Sequence, residues 1–297
     1  MSHPLTYYFI VNSRANSGRA VHSFKEIEDE IRLKFDRIYA FYTQSIDEIA
    51  GIIEANDSPT SVFVACGGDG TIHAVAKQLV HKDSMLGVLP LGSGNDFAKM
   101  VNSNSSTSSF LAILEQGSVA YFDTIAWNND FCINTFGLGI DGLTNQLAAK
   151  STLFKGKLKY MVAALKAIFK VTKNSVFVNI DGKTHGNFDT YLTLISNGRW
   201  EGGSYQLSPK SKLDDGIFEL HIAKIDSRLQ LLLQFLRLSL FGSFSKHILK
   251  SFECKQAQLA FKEAIHAHCD GEVIEPLYDV SFEILPASLK VLVQQYN

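Results

Sequence analysis

The stretch VFVACGGDGTIHAVAKQL, residues 62–79, decides how the first half of the chain is read. Residues 62–66 are apolar throughout, as a strand buried on both faces must be, and residues 71–79 space their apolar side chains for a helix. Gly67, Gly68, Asp69, Gly70 and Thr71 then form a strand-to-helix turn. In an open parallel sheet, ligands bind at such turns, outside the carboxyl ends of the strands. Glycine there admits positive φ and removes Cβ atoms that would hold an anion away, while the helix start offers free N–H groups and partial positive charge. A phosphate suits this turn, and Asp69 suits it only with a cation such as Mg2+ between carboxylate and phosphate. The competing reading is a plain turn in which Asp69 or Thr71 caps the helix.

Outward from this stretch, strand-like and helix-like runs alternate from LTYYFIVN to MLGVLPL. That alternation predicts an α/β domain with a parallel sheet over residues 1–125, completed by segment 286–297. From about Tyr121 strands dominate, which predicts a mainly antiparallel β-sandwich over 126–285 with helical insertions near 153–171 and 227–250. The 297 residues, 46% hydrophobic with 21 phenylalanines, supply two cores. A net charge of −2 offers no global attraction to nucleic acid, and four scattered cysteines without a CxxC pair exclude a zinc module or disulfide scaffold. The thiols are expected to be reduced and the protein cytoplasmic, since the N-terminus reads as a strand and not as a signal peptide.

Two more turns fall at the same sheet edge. NSRANSGRA follows the first strand and brings Asn12, Arg14, Gly18 and Arg19; PLGSGNDFAK follows the fourth and brings Ser93 and Asn95. Glycine and asparagine in one loop serve turn geometry, but three such loops on neighbouring strands point to a nucleotide phosphate site.

These motifs, with NTFGLGID, ISNGRWEGGSYQLSPKSKLDDGIFELHIA and HCDGEVIE in order behind them, resemble the diacylglycerol kinase catalytic-domain family, specifically the soluble bacterial lipid kinases similar to sphingosine and ceramide kinases. The resemblance covers nearly the whole chain. The GGDGT element alone is shared with NAD kinases and phosphofructokinases, whose fold the first domain is expected to have. The resemblance implies transfer of the ATP γ-phosphate to a lipid hydroxyl, with diacylglycerol as the family default. It implies nucleotide contacts from Asn12, Arg14, Gly18, Arg19, Thr43, Gly67, Gly68, Asp69, Gly70, Thr71, Ile72, His73, Ser93 and Asn95. Ser13 stands where the family often has proline, and Ser93 where it often has threonine. A kinase of a soluble acceptor such as NAD, and a catalytically silent nucleotide-binding regulator, are the alternatives.

Phosphorylating an alcohol also needs a base. In HCDGE, Asp270 and Glu272 stand two residues apart, which in extended backbone places both carboxylates on one side; an Asp-Gly hairpin turn explains the same letters. The resemblance assigns Glu272 as proton acceptor with Asp270 in support, and Asp69 beside a nucleotide-bound Mg2+. It also implies a structural Mg2+ on Asp215 with the carbonyls of Lys212 and Ile217, where an ordinary Asp-Gly turn is again the alternative. His266 and His268, in HAHC, read as surface histidines, because no second cluster completes a zinc site.

Residues 150–173 hold seven lysines and no acid. Leu158, Met161, Val162, Leu165 and Phe169 share one helical face, so this reads as a basic amphipathic helix suited to transient contact with an anionic membrane surface. Residues 229–242 are more apolar but interrupted by Gln230, Gln234 and Arg237, predicting a core or surface-dipping helix and no membrane span. Open sheet edges leave room for a homodimer.

Overall fold

Mostly apolar runs form the first strands, β1 (Thr6–Asn12), β2 (Ile38–Thr43), β3 (Ser61–Gly67) and β4 (Met85–Pro90). In the computed structural model, which describes residues 5–13, 18–101, 106–152, 156–245 and 247–294 but not the side chains of Arg19 and Lys157, every residue of β3 and β4 is buried. Helices α1 (Arg19–Lys34), α2 (Ile46–Asn56), α3 (Asp69–Leu79), α4 (Asp96–Met100) and α5 (Thr107–Gln116) lie between and after these strands. Serine starts two of them: the Ser45 hydroxyl accepts from Glu48 N–H and the Ser106 hydroxyl from Ser109 N–H.

The strand order is β2-β1-β3-β4, parallel throughout. The direction of winding reverses at β1, so the carboxyl ends of β1 and β3 flank the switch point where such sheets take ligands. Phe9, Phe24, Val64, Phe110 and Leu292 belong to one buried cluster in this unit, which comprises Met1–Thr124 with Pro286–Asn297.

The second unit, Ile125–Leu285, is built mostly from antiparallel strands. After β5 (Ser118–Trp127) come β6 (Asp130–Cys132), β7 (Thr135–Gly139), α6 (Ile140–Ala149), α7 (Gly156–Lys170), β8 (Asn174–Ile180), β9 (Lys183–Thr190), β10 (Leu192–Ser196), β11 (Trp200–Glu201), β12 (Tyr205–Gln206) and β13 (Phe218–Ala223). Then follow α8 (Arg228–Phe241), β14 (Leu249–Cys254), β15 (Gln256–Cys269) and β16 (Glu272–Val293). Strands β14-β13-β10-β7-β15-β16 are neighbours in that order, and β8 also pairs β15. Phe282 packs edge-on against Phe136 and Phe218, with ring centroids 5.0 and 6.4 Å apart; removing one such buried ring costs about 3–5 kcal/mol.

Helices α7 and α8 each leave an apolar face exposed. α7 buries its small face, Ala163, Ala167 and Ile168, and leaves Leu158, Met161 and Phe169 exposed. α8 buries Leu231 and exposes Leu229, Leu233, Leu236, Leu240 and Phe241, the last two by 76% and 68%. Among the described residues no helix is long and apolar enough to cross a membrane.

Candidate active site

The end of β1 and the turns after β3 and β4 are tied to one another. Asn12, at the end of β1, donates its side-chain N–H to the Thr71 hydroxyl at 3.0 Å. Gly68 and Gly92 meet backbone to backbone, so that a Cβ on Gly92 would collide with the Gly68 Cα. Asp69 accepts from Asn95 N–H through Oδ2 (2.7 Å) and from Asp96 N–H through Oδ1 (2.6 Å), capping α4 and not its own helix. Asn95, at φ 56°, closes its loop by bonding Gly92 through both side-chain atoms, at 3.1 and 3.0 Å.

This geometry narrows the sequence-derived nucleotide set. Ile72 is fully buried, Thr71 and His73 nearly so, and Thr43 is likewise inside. Their side chains are therefore not open to solvent, and the cause is simple: α3 begins at Asp69, so its first turns are already buried. Gly70 and Ser93 are exposed, Gly67 is buried, and Gly18 (φ 86°) precedes α1. Arg14 lies outside the described residues, as does the side chain of Arg19. Burial raises the Asp69 pKa, and the neighbouring Asp96 carboxylate adds to this against the backbone N–H bonds. Asp96 is paired with Lys99 Nζ at 3.0 Å; a divalent cation that took oxygen ligands from these two carboxylates would hold Asp69 ionised.

In the second unit, the Asp270-Gly271 pair is the two-residue turn joining β15 to β16. Both residues have positive φ, 49° and 87°, as hairpin turns of this length require. The extended geometry expected for Asp270 and Glu272 is therefore corrected: Asp270 lies on the turn and Glu272 opens β16, and the Asp270 carboxylate is spent on backbone. It accepts from Ile133 N–H through Oδ2 (2.9 Å) and from Asn134 and Thr135 N–H through Oδ1 (2.9 and 2.8 Å). Glu272 is exposed.

Sequence reasoning missed the cluster beneath this turn. His268 is no surface histidine: its side chain is 1% exposed, with Nε2 3.0 Å from Asp141 Oδ2 and 3.2 Å from Glu201 Oε1. Gly137 makes the room, since a Cβ there would collide with both Asp141 and His268. Gly142 lets α6 lie directly against the backbone of His266 and Ala267. Burial opposes the charge on Asp141, yet the adjacent ring holds its carboxyl below the ordinary range. Burial and the Asp141 charge together push Glu201 up to about 8. The signal available in the sequence was GLGIDG, whose glycines mark backbone approached closely by other groups.

Two other polar groups complete the unit. Gly216 (φ 73°) turns the chain after an exposed Asp215; burial, and more weakly Asp215, raise the pKa of Glu219. This neighbouring pair of carboxylates is compatible with a cation at Asp215, together with the carbonyls of Lys212 and Ile217. His221 sits between Ser251 (2.7 Å) and Ser208 (2.8 Å), and burial lowers its pKa to about 4. All four cysteines are buried and unpaired as disulfides.

Glycine-bearing turns at the switch point of a parallel sheet, together with a separate β-sandwich-like unit, define a two-domain chain of the fold class of diacylglycerol kinases and NAD kinases. Residues 6–127 match the diacylglycerol kinase catalytic domain, and residues 134–293 match the YegS C-terminal NAD kinase beta sandwich-like domain. The chain belongs to this YegS-like branch of the diacylglycerol kinase family. A relative from Enterobacter sp. (strain 638), named "Probable lipid kinase YegS-like", is 29% identical over 184 residues, covering 60% of this chain and 61% of that protein. The chain thus matches about three fifths of the length of this curated relative. A Bacillus anthracis str. Sterne structure, provisionally described as a diacylglycerol kinase, superposes with a TM-score of 0.78 at 20% identity, covering 99% of this chain and 98% of that one. An NAD kinase from Archaeoglobus fulgidus in complex with ATP gives 0.55 at 12% identity, covering 98% and 94%. These two likenesses concern the fold alone.

Proposed function

We propose that the chain is an ATP-dependent lipid kinase that transfers the γ-phosphate to the hydroxyl of a lipid alcohol, with diacylglycerol, giving phosphatidic acid, as acceptor. The observation that carries this reading is the pair of glycine-bearing turns after β3 and β4, tied to each other and, through Asn12 and Thr71, to the end of β1 beside the switch point of the parallel sheet. In this reading the N–H groups of Gly68, Asp69 and Gly70, the Ser93 hydroxyl and the cations of Arg14 and Arg19 receive the ATP phosphates. Mg2+ held by Asp69 would neutralise phosphate charge when bound, and Asp215 with the Lys212 and Ile217 carbonyls would hold a structural ion. Glu272 takes the proton of the lipid hydroxyl as that oxygen bonds to the γ-phosphorus and the bridging P–O bond to ADP breaks. Asp270 acts only by holding the turn.

Peripheral, transient contact with the anionic inner face of the cytoplasmic membrane belongs to the same reading. Residues 142–180 and 227–250 hold eleven lysines and arginines and no aspartate or glutamate. The exposed leucines of α8 and the outward face of α7 lie within these segments, pairing apolar insertion with positive charge. The deciding experiment is labelled-ATP transfer in mixed micelles to diacylglycerol, sphingoid, polyprenol and NAD acceptors. Transfer to diacylglycerol is expected; transfer to NAD alone, or to nothing, overturns the proposal. Flotation with vesicles containing phosphatidylglycerol should recover the protein, and a Leu233→Asp/Leu240→Asp variant should stay behind.

A further inference from the structure

The buried Asp141, Glu201 and His268 cluster has no part in the chemistry above, yet it touches the turn that carries Glu272. Gly271 N–H donates to His268 Nδ1 at 3.1 Å. In a two-residue hairpin turn this N–H belongs to the central peptide, whose orientation decides which way the turn faces. The other anchors of the turn lie to either side: Asp270 N–H donates to the Thr135 carbonyl at 2.8 Å, the Asp270 carboxylate holds the start of β7, and Cys269 pairs with Glu272 in the β15–β16 register. None of these holds the central peptide.

The ring can hold it only in one proton arrangement. Nδ1 must keep its lone pair to accept, so the ring's proton sits on Nε2, which faces the two carboxylates. The carboxylates favour a protonated ring, but a second proton on Nδ1 would face the Gly271 N–H donor head-on. Their attraction is therefore expressed as a fixed tautomer. The three donor atoms lie within 4.8 Å of one another, close enough for a cation; a cation, however, would need the Nε2 lone pair and hence a proton on Nδ1, which the Gly271 bond forbids. We propose that His268, set in its Nε2–H tautomer by Asp141 and Glu201, is a positioning residue that locks the central peptide of the Asp270-Gly271 turn and so aims Glu272. This rests on the reading of Glu272 as the base.

Two substitutions separate positioning from packing. Asn at 268 places an oxygen near Nδ1 and keeps the acceptor for Gly271; Gln places its amide near Nε2 and keeps the carboxylates but loses that acceptor. Asn leaves the larger void, so packing alone would make it the more damaging. The proposal expects the reverse in catalysis: His268→Gln lowers kcat about tenfold to a hundredfold with KM for ATP unchanged, while His268→Asn melts lower yet keeps kcat within about threefold of wild type, a loss under about 0.7 kcal/mol in the barrier. Equal losses in the two variants, or losses that follow melting temperature, overturn it. Nitrogen-15 spectra of the full-length wild type test the tautomer without any activity: one protonated and one unprotonated ring nitrogen on His268 are expected, and two protonated nitrogens overturn it. A wild type that shows the tautomer but phosphorylates nothing removes the proposed function and leaves the turn-locking role standing.

Discussion

Asp69 and Asp270 each sit beside glycine at a turn, and each spends its carboxylate on backbone N–H groups of a segment distant in sequence. They differ in what else stands near. Asp69 bonds N–H groups at the start of α4, and burial and then the like-charged Asp96 raise its pKa; Asp270 bonds three N–H groups in a row at the start of β7. Asp96 is itself paired with Lys99 Nζ at 3.0 Å, so Asp69 stands in a cluster of mixed charge, whereas a run of N–H donors satisfies Asp270 outright. The same Asp-Gly letters thus mark, in the proposed reading, a place for an ion in one unit, and they form a structural clamp in the other.

The comparison predicts a graded series. Glu272→Gln, beside the clamp, should lower phosphate transfer by about 10²–10⁴-fold with no change in melting temperature; loss of both together would make Glu272 structural too. Asp270→Ala strands three N–H groups and should cost about 3 kcal/mol or more in urea unfolding, while Asp69→Ala, which also relieves repulsion from Asp96, should cost less. Acid should act on the second unit through His221. Its folded pKa of about 4 lies below the unfolded 6.5, so the unfolded chain takes the proton first and stability falls as pH drops from 6.5 towards 4, by about 3 kcal/mol in all. A His221→Gln variant should flatten that limb of the stability–pH curve. The smallest expected effect is Asp69→Asn, which keeps one acceptor and should lose about 1–2 kcal/mol; the measurement that matters there is a weaker response of activity to Mg2+, and an unchanged response would put Asp69 with Asp270.

The fold class was legible because β3 and β4 are continuous apolar runs and the later strands alternate. α6 was not, since Gly139 and Gly142 look like interruptions; their role is to let the helix start at a φ of 84° and lie on β15. The two faces of α7 were both apolar, and periodicity could not tell that alanines would go inward, because that choice is made by how closely the helix approaches its neighbours. In the first unit the glycines drew attention for what they admit. Gly68 and Gly92 are needed for each other, Gly94 for Asp69. His268 looked like an exposed strand residue because its partners, Asp141 and Glu201, come from other elements. No local pattern joins such residues; only the pairing of β7 with β15 does.

The contact of Gly68 with Gly92 bears on how the first unit would receive a ligand. With backbone against backbone, and Asp69 bonded across, the turns after β3 and β4 cannot shift independently. A flexible phosphate loop loses conformational entropy each time it closes on its ligand, and affinity falls by that amount. Here the loss was incurred once, during folding, so in the proposed reading a polyphosphate would meet two loops already tied to each other.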